Sequence, residues 1–135
     1  MLLGTLPGGI TGGTARGVSE DGSAIAGWAR NASGNGVAFH WTAPTGLQAL
    51  GDLPAGGTGS DAFDVSADGA TVVGWGSSDF GREAFRWTEE TGMVGLGDLP
   101  GGNVYSSAYG VSGDGSVVVG VSSVGPEDVG DRAFV

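Results

Sequence analysis

The chain writes one passage three times, and that repetition limits its fold more than anything else in the sequence. VSEDGSAIAG at residues 18–27, VSADGATVVG at 65–74 and VSGDGSVVVG at 111–120 share one pattern. A leader precedes each copy: LGTLPGG from Leu3, LGDLPAGG from Leu50 and LGDLPGG from Leu96, so the units start 47 and then 46 residues apart. An Ala-Phe pair follows each copy, at 38–39, 84–85 and 133–134. A fixed period of this size identifies a chain built from stacked copies of one supersecondary unit.

Each unit reads as four short strands. In the first they fall at about 15–18, 24–28, 37–41 and 47–53, with counterparts in the later units. Asp-Gly at 21–22, 68–69 and 114–115 suits a two-residue hairpin turn, because Gly and Asp tolerate positive φ best. Thr-x-x-Thr-Gly at 42–46 and 88–92 forms the next turn, and Leu-Pro followed by glycine breaks the sheet ladder between units. No window carries a helical apolar period, and the 30 glycines sit among regularly spaced Val, Trp and Phe, as tight turns between strands require.

A four-stranded unit of this length in tandem predicts an all-β fold, a β-propeller of four-stranded antiparallel blades with three blades in this chain. A β-trefoil or another three-fold β fold is the alternative. The adjacent apolar residues at 72–73 and 117–119 favour the propeller, since they imply strands covered on both faces. Gly27, Gly74 and Gly120, in one register, suggest close approach of a neighbouring sheet. The chain is expected to be a single repeat domain over 1–135, with units at about 3–49, 50–95 and 96–135. Three blades are too few to close a ring, and exposed end strands invite pairing. The expected solution is a homodimer of six blades, in which residues 1–6 complete the last blade of the partner chain.

The charge narrows the possible partners. The net charge is −10, and all five cations are Arg. Such a surface repels phosphate backbones and anionic lipid, so neither a nucleic-acid partner nor membrane insertion is expected. The absence of Cys excludes a disulfide framework, a thiolate nucleophile and a Cys-based zinc site. The start, MLLGTLPGG, has neither the charged region nor the long apolar run of a signal peptide, so any export signal would lie outside this stretch.

The unit resembles the bacterial "extracellular repeat, HAF family". Its pattern runs L-G-D-L-G/P-G-G, then A-x-G-V/I-S-x-D-G-x-V-V-G, then H/x-A-F-x-W. Residues 96–102, 108–120 and 83–87 carry these pieces, with matching pieces in the other units. There are departures: Val121 stands where the other units have Trp, and Asp64 stands where they have Gly17 and Gly110. The resemblance implies a surface or secreted bacterial protein, hence an extracellular location, and implies no enzymatic activity.

Signatures of chemistry are sparse. The nucleophile elbow, the dinucleotide fingerprint and the phosphate-binding loop are all missing, so no cofactor is expected. His40 stands alone and forms neither a metal site nor half of a triad. Asp64 and Glu83 are acidic only in the middle unit, which makes them the best candidates for a glycosidase pair, although nothing in their spacing joins them. Glu127, Asp128 and Asp131 crowd one loop without the spacing of a calcium-binding loop, so no metal site is assigned there. The recurring Trp and Phe read as core between units.

Length varies between the units in one connection only, between the second and third strands. That makes its rim the candidate binding surface, with Arg30, Asn31 and Asn35 in the first loop, Asp79, Phe80 and Arg82 in the second, and Glu127 and Asp128 in the third. The sequence thus predicts a non-catalytic binding or assembly scaffold. Its partners are a second copy and a possible glycan or protein ligand. A glycan-binding, lectin-like module is the alternative, and a glycoside hydrolase-like enzyme the remote one.

Overall fold

The computed structural model describes residues 1–54, 56–99, 104–123 and 131–135. All its regular elements are β-strands. They are β1 (Gly13–Val18), β2 (Ala24–Arg30), β3 (Gly36–Thr42), β4 (Gly46–Ala49), β5 (Ser60–Val65), β6 (Val72–Ser78), β7 (Gly81–Thr88), β8 (Gly92–Gly95), β9 (Val104–Val111), β10 (Val118–Ser123) and β11 (Asp131–Phe134).

The fold is all-β, as expected, but the strands do not divide into three separate four-stranded sheets. β1–β4 form one antiparallel sheet in chain order. The others form a seven-stranded sheet, β11-β10-β9-β7-β6-β5, with β8 also pairing with β7. Its pairs are antiparallel except at one short splice, where β7 and β9 run parallel through Gly81↔Val104 and Arg82↔Tyr105. Neither sheet closes on itself. The fourth strand of the first segment is also shorter than expected: β4 stops at Ala49, although the Leu50 N–H still donates to the Ala38 carbonyl at 3.0 Å. Residues 1–6 form no strand; Leu3 and Leu6 pack against Ala29, Val37, Phe39 and Leu47 of the first sheet.

The Asp-Gly hairpins are not two-residue turns. The Gly22 N–H bonds to the Ser19 carbonyl at 2.9 Å, which places Asp21 third and Gly22 fourth in the turn. Only then do Ser19 and Ala24 meet, through the Ser19 N–H and the Ala24 carbonyl at 2.9 Å. The side chains complete the loop: Ser19 Oγ accepts from the Ala24 N–H and donates to Asp21 Oδ1, each at 2.9 Å, and Asp21 Oδ1 also accepts from the Ser23 N–H. Ser66/Asp68 and Ser112/Asp114 repeat this clamp. Glycine is needed at 22, 69 and 115 because φ there is 73°, 75° and 73°. Asp serves as an acceptor in an Asx-type turn rather than as a residue of positive φ.

The recurring glycine of the second strand has a different cause from the expected one. A Cβ on Gly27, Gly74 or Gly120 would collide with the carbonyl of Thr14, Asp61 or Ser107, on the adjacent strand of the same sheet. At each place the pairing skips one residue: Ala15 pairs with Gly27 and Gly17 with Ala26, Ala62 with Gly74 and Asp64 with Val73, Ala108 with Gly120 and Gly110 with Val119. These are β-bulges, and the skipped residues are Arg16, Phe63 and Tyr109. A bulge bends its strand and re-aims the extra side chain.

Beyond the cluster inside the first segment, the core lies between the segments. Ala26 and Ala38 of the first sheet cluster with Leu50, Leu53, Ala62, Val65, Val72, Phe85 and Met93. Further along, Val73 and Ala84 cluster with Ala108, partly covered by Val111, Val118 and Phe134. Val72 and Val73 are both fully buried, as adjacent apolar residues on a strand covered on both faces must be. Their counterparts in the third segment are not: Val118 is half-buried and Val119 is 45% exposed.

Candidate functional site

Among the described residues, no hydrogen bond gathers the rim side chains into one site. Asn31 closes its own loop, its Oδ1 accepting from the Ser33 and Asn35 N–H groups at 3.0 Å each. Asn35 reaches the next segment through Nδ2 and Thr58 Oγ1 at 3.1 Å. Arg30 is exposed and its N–H donates to the Gly12 carbonyl. Asp79 and Phe80 are exposed at the β6–β7 turn. No hydrogen bond joins the 31–35 loop to the 78–81 turn among the described residues. Glu127 and Asp128 lie outside the described residues. Arg82 alone has a built environment: its guanidinium lies 4.2 Å from the Trp75 ring centroid and 5.4 Å from that of Tyr105.

The acidic outliers are separately engaged. Asp64 accepts from the Val65 N–H through Oδ1 and from the Val111 N–H, in β9, through Oδ2 at 3.0 Å. Glu83 accepts from the Gly97 N–H at 3.0 Å. Both carboxylates therefore tie down backbone, an arrangement unlike an acid and a base flanking one bond. His40 has a similar task. Its Nε2 lies 3.0 Å from the Gly69 carbonyl, and Arg86, 46 residues on, donates to the Gly115 carbonyl. Burial holds the His40 pKa below its ordinary value, the direction expected of an imidazole packed beside Trp87.

What the molecule does assemble is a set of contacts that recurs from one segment to the next. The Ala38 N–H donates to Ser60 Oγ, and the Ala84 N–H to Ser106 Oγ, each at 2.9 Å. The Glu20 N–H donates to the Ala67 carbonyl, and the Ala67 N–H to the Gly113 carbonyl, at 3.2 and 3.1 Å. The bulge side chains stack along the same direction. The Arg16 guanidinium lies 5.2 Å from the Phe63 centroid, and the Phe63 and Tyr109 rings stack at 5.1 Å. Arg16 also pairs with Asp61 through two bonds of 3.0 and 2.9 Å. Burial of that carboxylate nevertheless outweighs the pairing and raises the Asp61 pKa.

The same positions lie bare where the stack stops. Val65 is 5% exposed against the first segment, but Val18, its counterpart in that segment, is 61% exposed. Ala26 and Val73 are fully buried by the segment that follows them, whereas their counterpart Val119 is exposed. Ala38 and Ala84 are buried and Ala133 is exposed; Ala62 and Ala108 are buried and Ala15 is exposed. The first segment also carries an apolar groove of about 510 Å³, whose walls include Leu3, Ala15, Trp28, Phe39 and Leu47. In the second segment the counterparts Leu50, Ala62, Phe85 and Met93 are packed by Ala26 and Ala38.

Sequence reasoning picked out none of Arg16, Phe63 and Tyr109 as a matched set, because three different residue types hide a common position. The signal available was the glycine eleven residues downstream of each, which marks the bulge. Searches against family models and against curated proteins find no match to this chain.

Proposed function

We propose that the chain is a non-catalytic scaffold whose task is assembly: three blades of a β-propeller that close with a second copy into a six-bladed ring. One observation carries this reading. Positions buried between segments inside the chain are bare on its two outer faces, Val119 at one end and Val18 at the other. Exposed apolar faces and open strand edges of this kind invite a partner. The engagement of Asp64 and Glu83 in separate backbone bonds supports the non-catalytic part. The likeness of the unit to the HAF-type extracellular repeat supports a place at a bacterial cell exterior.

Light scattering on the purified protein checks it. A mass twice that of the chain is expected, falling to the single-chain mass when Val119→Asp puts a charge on the bare face. A wild-type protein that stays monomeric at high micromolar concentration ends the proposal.

A further inference from the structure

We infer that the two outer faces are complementary, so that the third segment of one copy seats on the first segment of another in the same register that joins segments within the chain. This rests on the assembly reading and specifies its contacts. Three features continue across such a junction. The hydrogen-bond relay runs from the Glu20 N–H to Ala67 and from the Ala67 N–H to Gly113. Among the described residues, the Gly113 N–H and the Glu20 carbonyl are the two ends of that relay, the donor and the acceptor that its next step needs. The ring stack runs Arg16, Phe63, Tyr109 and ends on Tyr109, half exposed, whose next neighbour in register is Arg16 of a second copy. A guanidinium against the open face of a tyrosine ring is an attractive pairing. The groove at Ala15 and Phe39 then receives Val119 and Ala133, as Ala62 and Phe85 receive Ala26 and Ala38.

The occupant is a second copy because each outer face lacks what the other offers: a donor faces an acceptor, an aromatic ring faces an arginine, and an apolar strand faces an apolar groove. Two such junctions close a ring, and around it run six stacked side chains, Arg16, Phe63 and Tyr109 from each copy. The junction is not a full replica. Gly13 stands where Ser60 and Ser106 accept from the preceding segment, and Val135 stands where His40 and Arg86 clasp the following turn. It therefore relies on apolar contact and the relay, and is the weakest joint of the ring.

The absence of cysteine makes a cross-linking test clean. A Cβ on Gly113 would lie 3.3 Å from the Ala67 Cβ, close to disulfide range, so Ala67→Cys with Gly113→Cys serves as an intrachain control. The test pair is Glu20→Cys with Gly113→Cys. Under mild oxidation the inferred register yields a covalent dimer on non-reducing gels in which nearly all the protein is cross-linked, with no longer species. A ladder of higher oligomers overturns ring closure by this register, since head-to-tail contacts would then propagate as a filament. No cross-link in a protein of dimeric mass overturns the register but leaves the assembly reading standing. No cross-link in a protein of monomeric mass overturns both.

Discussion

A hydroxyl and a carboxylate, rather than backbone preference alone, hold each Asp-Gly turn in shape. Ser66 is fully buried; its Oγ accepts from the Thr71 N–H and donates to Asp68. Removing that oxygen leaves a buried N–H without an acceptor, which costs about 1–3 kcal/mol. Ser66→Ala should therefore lower the unfolding free energy by about that much in urea titration. Ser112→Ala should cost visibly less, because Ser112 is only half-buried and Val117, whose N–H it serves, reaches solvent. Equal losses at both positions would mean that burial does not set the strength of the clamp. The motif Ser-x-Asp-Gly was plain in the sequence. Its geometry was misread because a two-residue hairpin and a longer Asx-closed loop share the same Asp-Gly pair.

At the scale of the element, the bulge links the sequence to the contacts between segments. Glycine at 27, 74 and 120 lets the partner carbonyl come close; the strand then gains a residue, and that residue turns toward the next segment. Gly74→Ala should destabilise by at least about 2 kcal/mol, since the obstacle is rigid backbone at Asp61. Gly76→Ala is the contrast. The atoms it meets are side-chain ends of Leu53 and Met93 at 3.2–3.3 Å, which can shift, and the first segment already carries Ala29 at that position. Thermal unfolding of the two variants should separate them by several degrees, with Gly74→Ala the lower. The conserved spacing of these glycines within the chain pointed to a close approach. Which strand approached was not legible, because a neighbouring sheet and a bulged partner strand make the same demand for a missing Cβ.

For the whole molecule the turn carboxylates act together. Asp21 is held down at about 2 by its hydrogen bonds from Ser23 and Ser19, and Asp114 at about 2 by those from Ser112 and Ser116. Asp68 is lowered as well, chiefly by Ser66. A depressed carboxylate stabilises the fold fully above its unfolded value and loses that contribution as pH falls toward the folded value. The loss should fall between pH 4 and pH 2, and the triple variant Asp21→Asn, Asp68→Asn, Asp114→Asn should flatten the stability profile in that window. Asp61 works in the opposite sense. Its raised pKa makes protonation favour the folded state just above the ordinary carboxylate range, so stability should rise slightly there before it falls. Unfolding followed by circular dichroism from pH 6 to pH 2 checks both limbs, and a profile unchanged in the triple variant would remove the turns as its cause.

Read by itself, the sequence determined the local grammar of this protein: where strands and turns alternate, that glycine follows Asp in three of the turns, and that the second strand of the later units carries adjacent apolar residues. Those follow from short-range sterics and from a period written into the chain three times. Only the tertiary structure decided what meets across the segments. Arg16, Phe63 and Tyr109 share a position but not a residue type, so no pattern announced their stack until a bulge turned all three the same way. The exposure of Val119 likewise has no local cause: the same apolar position is buried at Ala26 and Val73 because another segment covers it, and bare where none does.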